Sequence, residues 1–87
     1  MELKDQAIIV TGGASGIGRE TCLALARMGA DIVVADFNAE GAAQVAEEVK
    51  ALGVAAHSFK VDVSVAQEVE ALVDLWLNFP VQFLCIA

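Results

Sequence analysis

The 87-residue chain has room for one domain and not for two, since domains typically run to about 100–150 residues and a chain this short buries only ~60–65% of its unfolded surface. With 57% hydrophobic and 20% charged residues it is too apolar for a disordered tail, and charge interrupts it too often to leave the ~18 apolar residues a membrane span needs. Twelve acids against five bases give a net charge of −7, which opposes phosphate backbones and anionic lipid: no nucleic-acid or membrane partner is expected, and a polyanionic ligand has to be held locally.

In chain order, β-type and helical patterns alternate. Ala7–Val10 is a continuous apolar run and reads as a strand buried on both faces, ending at Thr11-Gly12-Gly13. Ile17–Met28 reads as a helix closed by Gly29, and Asp31–Asp36 (DIVVAD) as a second buried strand. Asn38 is the predicted N-cap of a helix whose apolar stripe is Ala42, Val45, Ala46, Val49 and Leu52, with Gly53 ending it. Val54–Val61 is the third strand. Ser64 with Gln67 forms a predicted capping box for a third helix carrying Val65, Val69, Leu72, Val73 and Trp76; Pro80 stops it, and Val81–Ile86 is a fourth strand. Strands alternating with helices require crossovers, which are right-handed in nearly every case and make parallel sheets. The expectation is an α/β, Rossmann-like half: β-α-β-α-β-α-β, a four-stranded parallel sheet with three helices, filling residues 1–87 as one nucleotide-binding half-domain.

Two features of this pattern carry chemistry. The first is Thr11-Gly12-Gly13-Ala14-Ser15-Gly16-Ile17-Gly18, placed between the first strand and the first helix. Unpaired N–H groups and about half a unit of positive charge at a helix start hold a pyrophosphate even on an acidic protein. Gly12 is expected to make the tight turn, Gly16 to let the backbone approach phosphate, and Gly18 to let the helix pack near the sheet. The Walker alternative requires Gly-Lys-Ser/Thr, and no lysine stands between Lys4 and Lys50. The spacing also departs from G-x-G-x-x-G, because Thr21 follows where that pattern has its third glycine. The second feature is Asp36, closing the second strand 18 residues after Gly18, near the ~20 expected of a carboxylate that accepts the adenosine ribose hydroxyls. A 2′-phosphate would meet the Asp36 charge without visible compensation: Ser15 and Phe37 are uncharged, and Arg19 lies inside the helix. NAD is therefore favoured over NADP.

Thr-Gly-Gly-Ala-Ser-Gly-Ile-Gly resembles the Thr-Gly-x-x-x-Gly-x-Gly cofactor motif of the short-chain dehydrogenase/reductase family, and the likeness covers residues 1 to 74. The family also places an Asp and a hydrophobic residue after the third strand, against the adenine; Asp62 and Val63 stand there. The resemblance implies NAD-binding residues Gly12, Ser15, Gly16, Ile17, Gly18, Asp36, Phe37, Asp62 and Val63. It also implies a parent chemistry of hydride transfer between a nicotinamide cofactor and an alcohol or carbonyl, in an Asn-Ser-Tyr-Lys site.

That chemistry has no counterpart among these residues. The chain has no tyrosine, so any mechanism needing a phenol is excluded, and no catalytic residue is assigned. By the family pattern Asn-Asn-Ala-Gly would begin just beyond Ala87, and Leu75–Phe83 departs from the usual helix end, glycine turn and acidic strand start, with Pro80 in the glycine's place. The expectation is a truncated product that binds cofactor without turning it over, the alternative being a non-enzymatic interaction fragment or a non-functional product. Covering four strands with one helix on one face should leave several hundred Å² of apolar sheet open, augmented by Leu75 and Leu77 and inviting self-association or a partner chain.

Other chemistry-bearing residues have ordinary readings. Cys22 and Cys85, 63 residues apart, fit neither a disulfide framework nor a metal site; with no signal-peptide pattern in MELKDQAIIV, a reducing, cytoplasmic setting is expected. His57 is the sole histidine and has no carboxylate or serine at motif spacing. Trp76 completes a core stripe, while Glu40, Glu47, Glu48, Glu68, Glu70 and Asp74 fall on solvated helix faces.

Overall fold

The structure, a computed structural model, describes residues 6–62, 64–76 and 82–86, with residues 75, 76 and 82–86 described through their backbone. Its elements run β1 (Ala7–Thr11), α1 (Gly16–Arg27), β2 (Asp31–Asp36), α2 (Ala39–Lys50), β3 (Ala56–Lys60), α3 (Ala66–Trp76) and β4 (Gln82–Ile86). Every predicted element occurs, in the predicted order. The strands form one parallel sheet in the order β3-β2-β1-β4, so the chain runs outward from β1 in one direction and then crosses back over it. This is the Rossmann-like half that the alternation implies.

The two central strands are buried on both faces, as continuous apolar runs require. Ile8, Val10, Ile32 and Val34 pack against α1 and α2 through Cys22, Leu23, Ala26, Val45 and Val49. Ile9, Val33 and Ala35 point the other way, into a smaller cluster with Val61 and Leu72. Full burial of each Val or Ile removes apolar surface worth roughly 1.5–3 kcal/mol, so this doubly covered pair of strands is the stabilising centre of the fold. The two-helices-against-one arrangement expected from topology is therefore present. On the one-helix face Ile9, Val33 and Ala35 are at most 1% exposed, while the β3 register partners of Val33 and Ala35 are open, His57 exposed and Phe59 partly so; the side chains of β4 and of Leu75 and Leu77 lie outside the described residues.

Local signals account for most boundaries. Gly29 follows α1 with φ 95°, a left-handed closure that costs a Cβ-bearing residue about 1–2 kcal/mol, and its N–H donates to the Ala26 carbonyl. Asn38 caps α2 as predicted, its Oδ1 accepting from the Gly41 N–H at 3.1 Å. Ala42, Val45, Ala46 and Val49 are buried, while Leu52 falls beyond the helix end and is 41% exposed. The third helix departs further. Ser64 does not cap it; the Ser64 hydroxyl donates to Asp62 Oδ1, and α3 begins later, at Ala66. Glu68 performs the return reach assigned to Gln67, its Oε1 accepting from the Asp62 N–H. Leu72 is buried and Val69 partly so, but Val65 and Val73 flank the contact and stay exposed. Val63, Leu77, Pro80 and the side chains of Leu75, Trp76 and Cys85 lie outside the described residues.

Candidate functional site

The carboxyl ends of β1 and β2 and the start of α1 come together through a glycine-rich turn. Gly12 takes φ 69°, the left-handed turn that lets the chain leave β1. The Gly13 N–H then donates to the Ala35 carbonyl at 3.1 Å, and the Ala14 N–H donates to Asp36 Oδ2 at 3.0 Å. The turn is thus clasped to the end of β2 by two bonds, the second to a side chain. Ser15 is the helix N-cap by backbone conformation, yet its hydroxyl donates back to the Gly12 carbonyl at 2.7 Å instead of capping α1.

The first helical rung is the Arg19 N–H to the Ser15 carbonyl. The N–H groups of Gly16, Ile17 and Gly18 precede it and have no intrahelical acceptor, which is the anion-receiving end of a helix. Two glycines serve opposite purposes there. A Cβ on Gly18 would overlap the Gly12 carbonyl and lie 2.9 Å from the Gly13 Cα, so Gly18 lets the helix close on its own turn, not on the sheet as its spacing had indicated. A Cβ on Gly16 would meet nothing within 4 Å, so no packing inside the chain requires a glycine there. Gly13 is a requirement the spacing did not reveal: its Cβ would stand 2.7 Å from Val34 Cγ1 and 3.1 Å from the Val10 carbonyl oxygen. Its place directly after Gly12 was the available signal.

Asp36 sits at the joint. Oδ2 accepts from Ala14 and Oδ1 accepts from the Asn38 N–H at 2.9 Å. A carboxylate has about four acceptor positions, so both oxygens retain capacity toward the cleft they border. That cleft, of about 320 Å³, is lined by Gly12, Asp36, Phe37, Val61 and Asp62. A broader depression of about 650 Å³ follows the flank of α1 along Gly16, Ile17, Arg19, Glu20, Thr21 and Ala24. It is the larger of the two, but the smaller one holds the carboxylates of Asp36 and Asp62. Ile17 is 80% exposed at the start of the second.

Asp62, on the far wall of the smaller cleft, accepts from both the Ser64 N–H (2.9 Å) and the Ser64 hydroxyl (2.6 Å) through Oδ1. The hydroxyl bond, followed by the backbone bond, holds its carboxyl below the ordinary carboxylate range against partial desolvation. Its other oxygen, Oδ2, accepts no hydrogen bond among the described residues. Val63 lies outside the described residues. Of the predicted set, Gly12, Ser15, Gly16, Ile17 and Gly18 lie in one turn, and Gly12 meets Asp36, Phe37 and Asp62 around one cleft.

Cations are placed differently from the sequence expectation. Arg19 reaches across to α2, where its Nη2 and Nε donate to the two carboxylate oxygens of Glu48, and its Nη1 pairs with Glu20 at 3.2 Å. Those bonds raise the Arg19 pKa and lower that of Glu48. Asp36 nevertheless has a cation beside it. Lys60 is its partner in the β2–β3 register, and the Lys60 Nζ lies 5.6 Å from the centroid of the Phe37 ring. The pairing of strands distant in sequence hides this contact from a residue-by-residue reading.

Cys22 is fully buried in the core and His57 is exposed on β3. No three metal-ligating side chains cluster among the described residues, and no helix among them is long and apolar enough to cross a membrane.

Known proteins resemble this chain in sequence and fold. The family model for short chain dehydrogenase matches residues 6–78. The probable oxidoreductase EphD of Mycobacterium tuberculosis is 46% identical over 70 residues, covering 80% of this chain and 12% of that protein. The 7alpha-hydroxysteroid dehydrogenase of Escherichia coli is 38% identical over 78 residues, covering 90% of this chain and 31% of the enzyme. A solved 7 alpha-hydroxysteroid dehydrogenase complexed with NADH and 7-oxo glycochenodeoxycholic acid superposes with a TM-score of 0.89 at 35% identity, covering 95% of this chain and 33% of that one. The chain thus spans a third or less of the length of these relatives. With the family model matching residues 6–78 and these relatives at 35–46% identity, the chain belongs to the short-chain dehydrogenase/reductase family of oxidoreductases, of which one solved relative is complexed with NADH.

Proposed function

We propose that residues 1–87 form the adenosine and pyrophosphate half of a nicotinamide-dinucleotide site, with NAD preferred over NADP. In this reading the free N–H groups of Gly16, Ile17 and Gly18 receive the pyrophosphate, and the open space at Gly16 admits it. Asp36 accepts the ribose hydroxyls with the capacity its two backbone bonds leave over. Phe37 and the Asp62–Val63 segment flank the adenine, with Asp62 Oδ2 accepting from its amino group. Ser15 shapes the turn through its bond to Gly12. The observation that carries the reading is the Ala14 to Asp36 hydrogen bond, which fixes the phosphate-receiving turn and the ribose acceptor as one unit.

When bound, the nicotinamide supplies a hydride donor or acceptor for alcohol and carbonyl substrates. The groups that would move a proton in the family's Asn-Ser-Tyr-Lys site are not found here, since the 87 residues contain no tyrosine. These residues therefore bind and orient: the helix start fixes the diphosphate, and the carboxylate fixes the ribose. Titration calorimetry with NAD and NADP, on wild type and Asp36→Ala, tests the assignment. Saturable NAD binding that Asp36→Ala weakens at least tenfold supports it; a folded wild-type chain that binds no NAD rejects it.

A further inference from the structure

A cation stands next to the Asp36 end of the cleft, outside its lining. Lys60 ends β3 and stands in register with Asp36 on the neighbouring parallel strand, about 4.8 Å away in such a pairing, with both side chains on the same sheet face. The Phe37 ring, which lines the cleft and is 67% exposed, lies under the Lys60 ammonium at 5.6 Å, a cation–π distance. Other described cations are engaged or remote. Arg19 is held by Glu48 and Glu20, Lys50 by Glu47, and Arg27 sits in the last turn of α1, at the opposite end from the glycine turn. Lys60 has no ion pair among the described residues, so its charge is available to a ligand.

We infer that Lys60 is a specificity-determining residue: held on Phe37 beside Asp36, its ammonium attracts a phosphate on the adenosine 2′ position and weakens the discrimination against NADP that Asp36 alone would impose. This rests on the nucleotide reading above. Opposite charges on Asp36 and Lys60 act on such a phosphate. The Asp36 carboxylate repels a 2′-phosphate while it accepts from the 2′-hydroxyl of NAD; the Lys60 ammonium attracts the phosphate and gains little from the uncharged hydroxyl. At partly exposed positions the Coulomb term is modest, so its removal corresponds to roughly a five- to tenfold change in affinity for the 2′-phosphorylated ligand.

The test is the ratio of NADP to NAD dissociation constants, measured by calorimetry at low ionic strength for wild type, Lys60→Gln and Lys60→Arg. The Lys60→Gln chain is expected to raise that ratio about five- to tenfold, and Lys60→Arg to hold it near the wild-type value. Added salt should shrink the difference between wild type and Lys60→Gln. An unchanged ratio in Lys60→Gln overturns the inference while leaving the nucleotide site standing, as does wild-type NAD binding without measurable NADP binding. A folded wild type that binds neither nucleotide removes both.

Discussion

The Ala14 N–H donates to Asp36 Oδ2 at 3.0 Å, joining two residues 22 positions apart in the chain. One carboxylate therefore holds the glycine turn in place and presents acceptors to the cleft beside it. In the proposed site this couples binding to folding at one residue.

Replacing Asp36 should consequently cost stability as well as affinity. Asp36→Ala leaves the Ala14 and Asn38 N–H groups without their acceptor, and hydrogen bonds to charged groups contribute about 1.5–3 kcal/mol each where partly shielded. Because the Asn38 bond is exposed, a loss of roughly 1–3 kcal/mol is expected in urea denaturation. Asp36→Asn keeps an oxygen for Ala14 and should lose less.

Gly16 and Gly18 should separate when each is changed to alanine. Gly18→Ala drives a methyl group into the Gly12 carbonyl and should destabilise the chain by about 1–3 kcal/mol. Gly16→Ala meets open space in a helical position, so thermal stability should hold or rise by up to about 1 kcal/mol, while NAD affinity falls because the methyl occupies the phosphate approach. Loss of stability in Gly16→Ala would contradict this division of roles.

Gly13→Ala places a methyl group 2.7 Å from Val34 Cγ1, an overpacking cost of roughly 1–3 kcal/mol. Shortening Val34 should relieve part of it. In a double-mutant cycle, Gly13→Ala with Val34→Ala should show a favourable coupling of at least about 0.5 kcal/mol; strict additivity would place the strain at the Val10 carbonyl instead.

The Arg19–Glu48 pair links α1 to α2 and sets a pH dependence. Glu48 is held below its ordinary range in the folded chain, so its contribution is present above the unfolded value of about 4.3 and is lost as pH falls through the lower folded value. Both side chains are partly exposed, which keeps the effect small. Denaturation midpoints for wild type and Glu48→Gln should differ near neutral pH and converge as pH falls through the lowered folded-state value of Glu48. A difference that persists at low pH would contradict the ionic origin.

Much of this architecture is legible from period and punctuation. The apolar runs at Ala7–Val10 and Asp31–Asp36, the stripe from Ala42 to Val49, and the glycines that end α1 and α2 identify elements because each signal acts within a few residues. The turn and Asp36 are legible for the same reason. Less visible is whatever depends on pairing between elements: the register that sets Lys60 beside Asp36, the fit of Gly13 against Val34, and the reach of Arg19 to Glu48. The Ser64 box fails for a related reason. Asp62, two residues earlier, competes for the serine hydroxyl, and Glu68 answers to Asp62 in place of Gln67.

The most direct test of the proposed site is an amide chemical-shift titration of the folded, isotope-labelled chain with NAD. Saturable shifts concentrated at Gly16, Ile17, Gly18, Asp36 and Phe37, with the α2 surface around Glu47 silent, are the predicted result. A folded chain whose turn amides do not respond, or whose shifts gather away from the end of β2, would contradict it.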